Sequence, residues 1–145
     1  MNDDQVKSFV EQWFATKNPS PSTRSWWIQM DLHGGASSAI AAVPVGATAY
    51  PHRDKLLLWQ FYDSVSAGTE YPADGFSLLQ NLQKSITETM DDDSWGLYAN
   101  YPDSQLSDTE APRKYWGVNL PRLQSIKAAV DFKDVFHYPQ GIKPQ

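Results

Sequence analysis

Ser25-Trp26-Trp27-Ile28-Gln29-Met30-Asp31-Leu32-His33 is the stretch on which the fold turns. Trp27, Gln29, Asp31 and His33 fall on one side of it, and Ile28, Met30 and Leu32 on the other. A period of two belongs to a β-strand, whose successive side chains leave on opposite faces. One face is apolar and calls for a core. The other offers an amide, a carboxylate and an imidazole, which a core would accept only with hydrogen-bond partners. Gly34-Gly35 ends the strand.

Downstream, residues 55–63 predict a second strand, apolar on both faces apart from Gln60 on one and Asp63 on the other, so cover on both sides is expected. Residues 95–101 predict a third, and Ala39 to Val45 a short extended segment. Upstream, Val6, Phe9, Val10, Trp13 and Phe14 recur at helical spacing over residues 3–16, with Asp3 or Asp4 as the cap. Asn18-Pro19-Ser20-Pro21-Ser22 breaks the chain. A helix over 74–90 starts at Asp74 and buries Phe76, Leu79, Leu82, Ile86 and Met90. A last helix over 111–130, with Tyr115, Leu123, Ile126 and Val130 among its apolar positions, is split by Pro121, which removes a helical hydrogen bond. The tail from Val135 to Gln140 reads as extended. The order predicts one α+β domain over residues 1–145, an antiparallel sheet with helices on one face.

Composition narrows the function. The chain has no cysteine, which excludes disulfides, thiolate metal sites and cysteine nucleophiles. The formal charge of −5 is spread along the chain without a basic stripe, so nucleic acid is not an expected partner. No apolar run is long enough to span a membrane. Met1 is followed by neither a basic nor an apolar region, so no signal peptide is expected and the reading is cytoplasmic. Asp91-Asp92-Asp93 reads as a solvated turn, because it lacks a calcium loop's ligand spacing, and no metal site is expected.

Five segments then become recognisable. They are Tyr98-Ala99-Asn100-Tyr101-Pro102-Asp103; Tyr115-Trp116-Gly117-Val118-Asn119 with Arg122-Leu123 and Lys127; Val135 to Ile142; Gln29-Met30-Asp31-Leu32-His33-Gly34-Gly35; and Ala49-Tyr50-Pro51-His52-Arg53. In this order and spacing they resemble the C-terminal, substrate-facing lobe of berberine-bridge-type FAD oxidases, most closely the fungal oligosaccharide-oxidase branch. The resemblance covers roughly residues 25–143. It implies that Tyr101, second tyrosine of the Tyr-x-Asn-Tyr signature, is a general base on a substrate hydroxyl, and that Asn100 lies near the flavin. It also implies that Gln29, Asp31 and Gln60 line a sugar pocket. A tyrosine titrates near 10, so a base needs cationic or hydrogen-bonding help. Asp31 is the candidate support, or a second acid/base group, and Trp27 and His33 complete the candidate binding set. His33 and His52 also read as structural histidines satisfying the backbone, Trp26, Trp27, Trp59 and Trp116 as core or interface, and His137 as surface.

Nothing in the sequence resembles the family's glycine-rich FAD region, so no cofactor is expected on this chain alone. The expected function is therefore a flavin-free small-molecule protein performing a redox-neutral step (cyclisation, isomerisation or dehydration) through Tyr101 and Asp31. The alternatives are a subunit of a split oxidoreductase whose partner chain carries FAD, and a non-catalytic pseudoenzyme or truncated product. Fungal origin and secondary metabolism follow from the resemblance alone. Exposed sheet edges and an uncovered aromatic face would favour a homodimer.

Overall fold

The computed structural model describes residues 1–16 and 24–145. The expected break at Asn18–Ser22 lies outside them. The chain divides into two compact units, Met1–Asp31 with Leu58–Trp95, and Leu32–Leu57 with Gly96–Gln145.

The first unit holds helices α1 (Asp3–Ala15) and α2 (Asp74–Thr87), and most of strands β1 (Arg24–Leu32) and β2 (Leu57–Val65). The two strands pair. The Ser64 hydroxyl donates to the Ser25 carbonyl at 3.3 Å, and the Trp27 ring stacks on Tyr62. Rising numbers on one strand thus meet falling numbers on the other, and the pair is antiparallel. This register sets Gln29 opposite Gln60. Trp26 and Ile28 of β1 and Trp59 and Phe61 of β2 pack against a buried cluster of Phe9, Leu82 and Ile86, joined by Leu78 and Met90. Phe9 comes from α1, and Leu78, Leu82 and Ile86 from α2, so both helices cover the same sheet face, as expected of this α+β fold. Cover on both sides of β2 is not found within this unit: Tyr62, on the face away from the helices, is 43% exposed.

Two expectations for α1 are corrected. Its cap is Asn2, whose side chain accepts from the Gln5 N–H while the Gln5 side chain accepts from the Asn2 N–H, both at 2.9 Å. This reciprocal pair satisfies two donors that a helix start leaves open. Asp3 and Asp4 sit in the first turn, where negative charge suits the dipole. Of the apolar positions only Phe9 is buried. Val6, Val10 and Trp13 are exposed, and Phe14 is 86% exposed. The buried side of α1 runs through Gln5 and Phe9, with the Gln5 amide donating to the Thr89 hydroxyl at 3.3 Å.

Asp74 is the first residue of α2 rather than its cap, and it has a second task. Arg24 donates to both Asp63 carboxylate oxygens, with contacts of 2.8 to 3.0 Å, and to Asp74 at 3.0 Å. The Tyr71 hydroxyl donates to the same Asp63 at 2.9 Å. The Arg24 and Asp63 side chains are 5% and 0% exposed. One guanidinium therefore ties the start of β1 to the end of β2 and to the start of α2.

The second unit is built mostly from turns, with helices α3 (Glu110–Trp116) and α4 (Leu120–Val130). Residues 39–45 are turns, not an extended segment: Ala42 bonds back to Ser38 and Val43 to Ile40. The third strand is not formed either. The Leu97 N–H donates to the Lys114 carbonyl of α3, and the Tyr101 N–H turns back to the Tyr98 carbonyl at 2.8 Å. The segment's backbone is satisfied by a helix end and by its own turn instead of by a neighbouring strand. The last helix is split as expected, but the break comes before Pro121. Gly117, with φ of +46°, turns the chain, and Pro121 sits in the first turn of α4, where its missing N–H costs nothing. Ile126 and Val130 are exposed; Tyr115 is buried. Its hydroxyl donates to the Gln140 side chain at 2.9 Å, and the Gln140 amide donates to the carbonyls of Asp103 and Leu106. The tail is thus pinned, and it turns at 139–140 where extension was expected.

Burial, and then donation to Asp63, push the Tyr71 phenol up to about 12. The folded chain holds this proton more tightly than the unfolded chain, whose tyrosines titrate near 10. The resulting stabilisation is complete below pH 10 and is lost as pH rises to about 12. Urea midpoints measured across this window should fall steeply in the wild type and more shallowly in Tyr71→Phe.

Candidate functional site

The sheet face turned away from the helices carries the first group of predicted residues. Trp27, Gln29 and Asp31 lie at alternate positions of β1, and Gln60 and Tyr62 at alternate positions of β2. The Gln29 amide donates to both Asp31 carboxylate oxygens, at 3.2 and 2.9 Å. Trp27 and Tyr62 stack with ring centroids 5.2 Å apart and planes 24° from parallel. Ring, amide and carboxylate thus follow one another along a single strand, with a second amide across from the first. Amides donate and accept, and a carboxylate accepts, so the row can read a set of hydroxyls. Tyr62 went unnoticed in the sequence, although its spacing of two from Gln60 places it on the same face.

The second group lies in the other unit. The Tyr50 hydroxyl and His33 Nε2 are 2.7 Å apart. Tyr50 meets His52 and Tyr98 edge-on at 5.4 and 6.0 Å, and Tyr98 meets Tyr101 edge-on at 5.1 Å. The Asn100 amide donates to the Tyr98 hydroxyl at 2.7 Å. Tyr98, which the sequence reading passed over inside its own signature, therefore joins Asn100 and Tyr101 to Tyr50 and, through it, to His33. Arg53, in the motif segment but given no role, lies over the Tyr50 ring at 5.1 Å. Burial raises the Tyr50 phenol above its ordinary value, and Arg53 opposes the shift. The expected carboxylate, Asp31, belongs to the first unit, where Gln29 holds it.

His52 is structural, as one reading proposed: its Nε2 is 3.0 Å from the Leu97 carbonyl. Its ring occupies the space above Gly96 so closely that an added Cβ would come within 2.0 Å of it. Glycine is required there because a ring takes the place of a side chain. His33 departs from the structural expectation by pairing with a phenol instead of with backbone. Trp26 and Trp59 are core, and His137 is exposed. Asp91–Asp93 are exposed, and among the described residues no group of His, Cys, Asp or Glu could hold a metal. No helix among them is long and apolar enough to cross a membrane.

Residues 97–143 match the family model described as "Berberine and berberine like". Chitooligosaccharide oxidase of Gibberella zeae is 48% identical over 141 residues, which cover 97% of this chain and 28% of that protein. A solved chitooligosaccharide oxidase superposes with a TM-score of 0.92 at 46% identity, over 100% of this chain and 31% of its own. The chain matches the C-terminal lobe of the berberine-bridge-like oxidases. The match extends to glucooligosaccharide oxidase of Sarocladium strictum, 43% identical over 99% of this chain and 30% of that protein. The chain therefore spans less than a third of the length of the berberine-bridge-like relatives it matches. The family model reaches the Tyr98–Asp103 signature and α3–α4, while the Trp27–Tyr62 face lies outside it and within the full-length matches to the oligosaccharide oxidases.

FAD serves this family of oxidases. A pyrophosphate needs converging backbone N–H groups, supplied by glycines that leave room for it. The tight glycines here are filled from within: Gly34 by the Lys55 carbonyl, Gly75 by the Tyr71 ring and Gly96 by the His52 ring.

Burial holds the His52 imidazole below its ordinary value, against the opposing bond to Leu97. The unfolded chain then takes up this proton first, near pH 6.5. The stabilisation from a neutral His52 is complete above about pH 6.5 and is lost as pH falls through the depressed folded value. Urea midpoints should therefore decline from pH 7 to 5, and the decline should be smaller in His52→Gln.

Proposed function

We propose that this chain is the saccharide-binding lobe of an FAD-linked oligosaccharide oxidase. The observation that carries the reading is the row of Trp27, Gln29 and Asp31 on an open sheet face, with Gln60 opposite, in a chain over 40% identical along its length to oligosaccharide oxidases. An amide bonded to a carboxylate presents fixed acceptors and donors to neighbouring equatorial hydroxyls, and an indole offers the apolar face of a sugar ring a flat partner.

In this reading the chain binds and orients the sugar, and Tyr101 takes the proton of the hydroxyl being oxidised. Asn100 keeps Tyr98 in place beside Tyr101. When bound, FAD supplies the hydride acceptor, and the residues that hold it belong to the part of the family fold that this chain does not span. The redox-neutral alternative uses Tyr101 and Asp31 as an acid/base pair without flavin, and it predicts a different product.

Calorimetric titration with chitotriose and with cellotriose tests the reading. At least one should bind. Gln29→Ala and Asp31→Asn should each weaken it roughly tenfold, or about 1.4 kcal/mol, with urea midpoints near the wild type. The absence of heat with both sugars would remove the saccharide assignment. A product isomeric with the sugar, or lighter by one water, formed without flavin or oxidant would support the acid/base alternative instead.

A further inference from the structure

Building on the saccharide reading, we infer that Tyr62 is a positioning residue, holding the Trp27 indole upright as the stacking platform for a pyranose ring. Both rings rise from the face opposite the helices, at 40% and 43% exposure. An exposed indole on a strand has two side-chain torsions to fix, and the helices that order Trp26 and Trp59 lie on the other side of the sheet. What orders Trp27 is Tyr62, directly across the strand pair, 5.2 Å away and 24° from parallel. Offset stacking of this kind contributes beyond area burial. It covers one face of the indole, and Trp27 remains 40% exposed. Gln29 and Gln60 follow two residues along their strands, which at the rise of a β-strand is about 7 Å. A pyranose stacked on the indole would lie one same-face step along β1 from Gln29, with Gln60 across from that amide. Tyr62 contributes its flat ring to this arrangement, and its hydroxyl is not needed. A cross-strand pair that served the sheet alone would shift stability and leave sugar affinity unchanged.

Three variants separate these roles: Tyr62→Phe keeps the ring, Tyr62→Leu keeps apolar bulk without a flat face, and Tyr62→Ala removes both. Chitotriose and cellotriose affinities are read by calorimetry, Trp27 order by the relaxation of its indole N–H in nuclear magnetic resonance, and folding by urea midpoint. Leu and Ala should each lose roughly tenfold in affinity and loosen the indole, while Phe should stay within about twofold of the wild type. Leu guards the test should Ala fail to fold. Wild-type affinity in Tyr62→Leu overturns this inference, and it leaves the saccharide reading standing if Gln29→Ala still weakens binding. A loss in Phe equal to that in Leu overturns the positioning role in favour of a hydroxyl contact. A wild-type protein that binds neither sugar overturns both readings together.

Discussion

The register of β1 against β2 is the constraint on which the rest depends. Strand side chains alternate with a period of two, so a slip of one residue would exchange the faces completely. Trp26 and Ile28 would turn away from α1 and α2, and Trp27, Gln29 and Asp31 would be driven into the cluster around Leu82. The amide and carboxylate would then lose water without gaining partners, a cost of a few kcal/mol for each group. Core and candidate site are therefore one decision, made along nine residues. Features at both ends of the pair secure it. At one end Arg24 grips Asp63; at the other His33 and Gly34 both donate to the Leu56 carbonyl, at 2.9 and 3.0 Å.

The second unit solves a different problem. A turn-rich segment has no strand ladder to satisfy its backbone, so side chains must do so. His52 reaches the Leu97 carbonyl, the Asn119 amide donates to the carbonyls of Val45 and Thr48, and Gln140 serves Asp103 and Leu106. Each of these residues comes from a segment remote in sequence from the carbonyl it serves. The Tyr98–Tyr101 turn is flanked by two of these bonds, His52 to Leu97 and Gln140 to Asp103. Its aromatic contacts are edge-on, the arrangement in which the positive rim of one ring meets the negative face of the next.

What the sequence revealed follows from this contrast. Alternation along β1 announced both strand and faces, because the signal is repeated at every residue. Helical spacing announced α1 and α2. The third strand was misread because Trp95, Leu97 and Tyr101 have strand-like character, while the groups that take up the Leu97 backbone, Lys114 and His52, lie elsewhere in the sequence. The Asn2 cap was missed for a smaller reason: three polar residues in a row could each begin the helix, and only the partner Gln5, three residues on, selects among them. The stripe on α1 shows the limit of periodicity. It reports that Val6, Val10 and Phe14 share a side, and not whether anything covers them. Arg24, Asp63 and Asp74 are separated by 39 and 11 residues, and no local pattern links them.

That ion pair also shows how a polar contact can matter more for choice of structure than for stability. Arg24 and Asp63 lie on the helix-facing side of the sheet and are nearly inaccessible. Removing two charges from water costs several kcal/mol for each, and their attraction largely repays this without a large surplus. An apolar pair of similar size would serve the core about as well. It would not discriminate between registers. With the ion pair in place, a slip of β1 by one residue turns Arg24 to the other face and leaves Asp63 buried without its cation, so that competing register carries an uncompensated charge. The contact with Asp74 extends the same discrimination to α2 and fixes where that helix begins relative to the sheet. The pair thus excludes the alternatives in which Trp27, Gln29 and Asp31 would face the core, and the open polar face follows from a charge on the opposite side of the sheet.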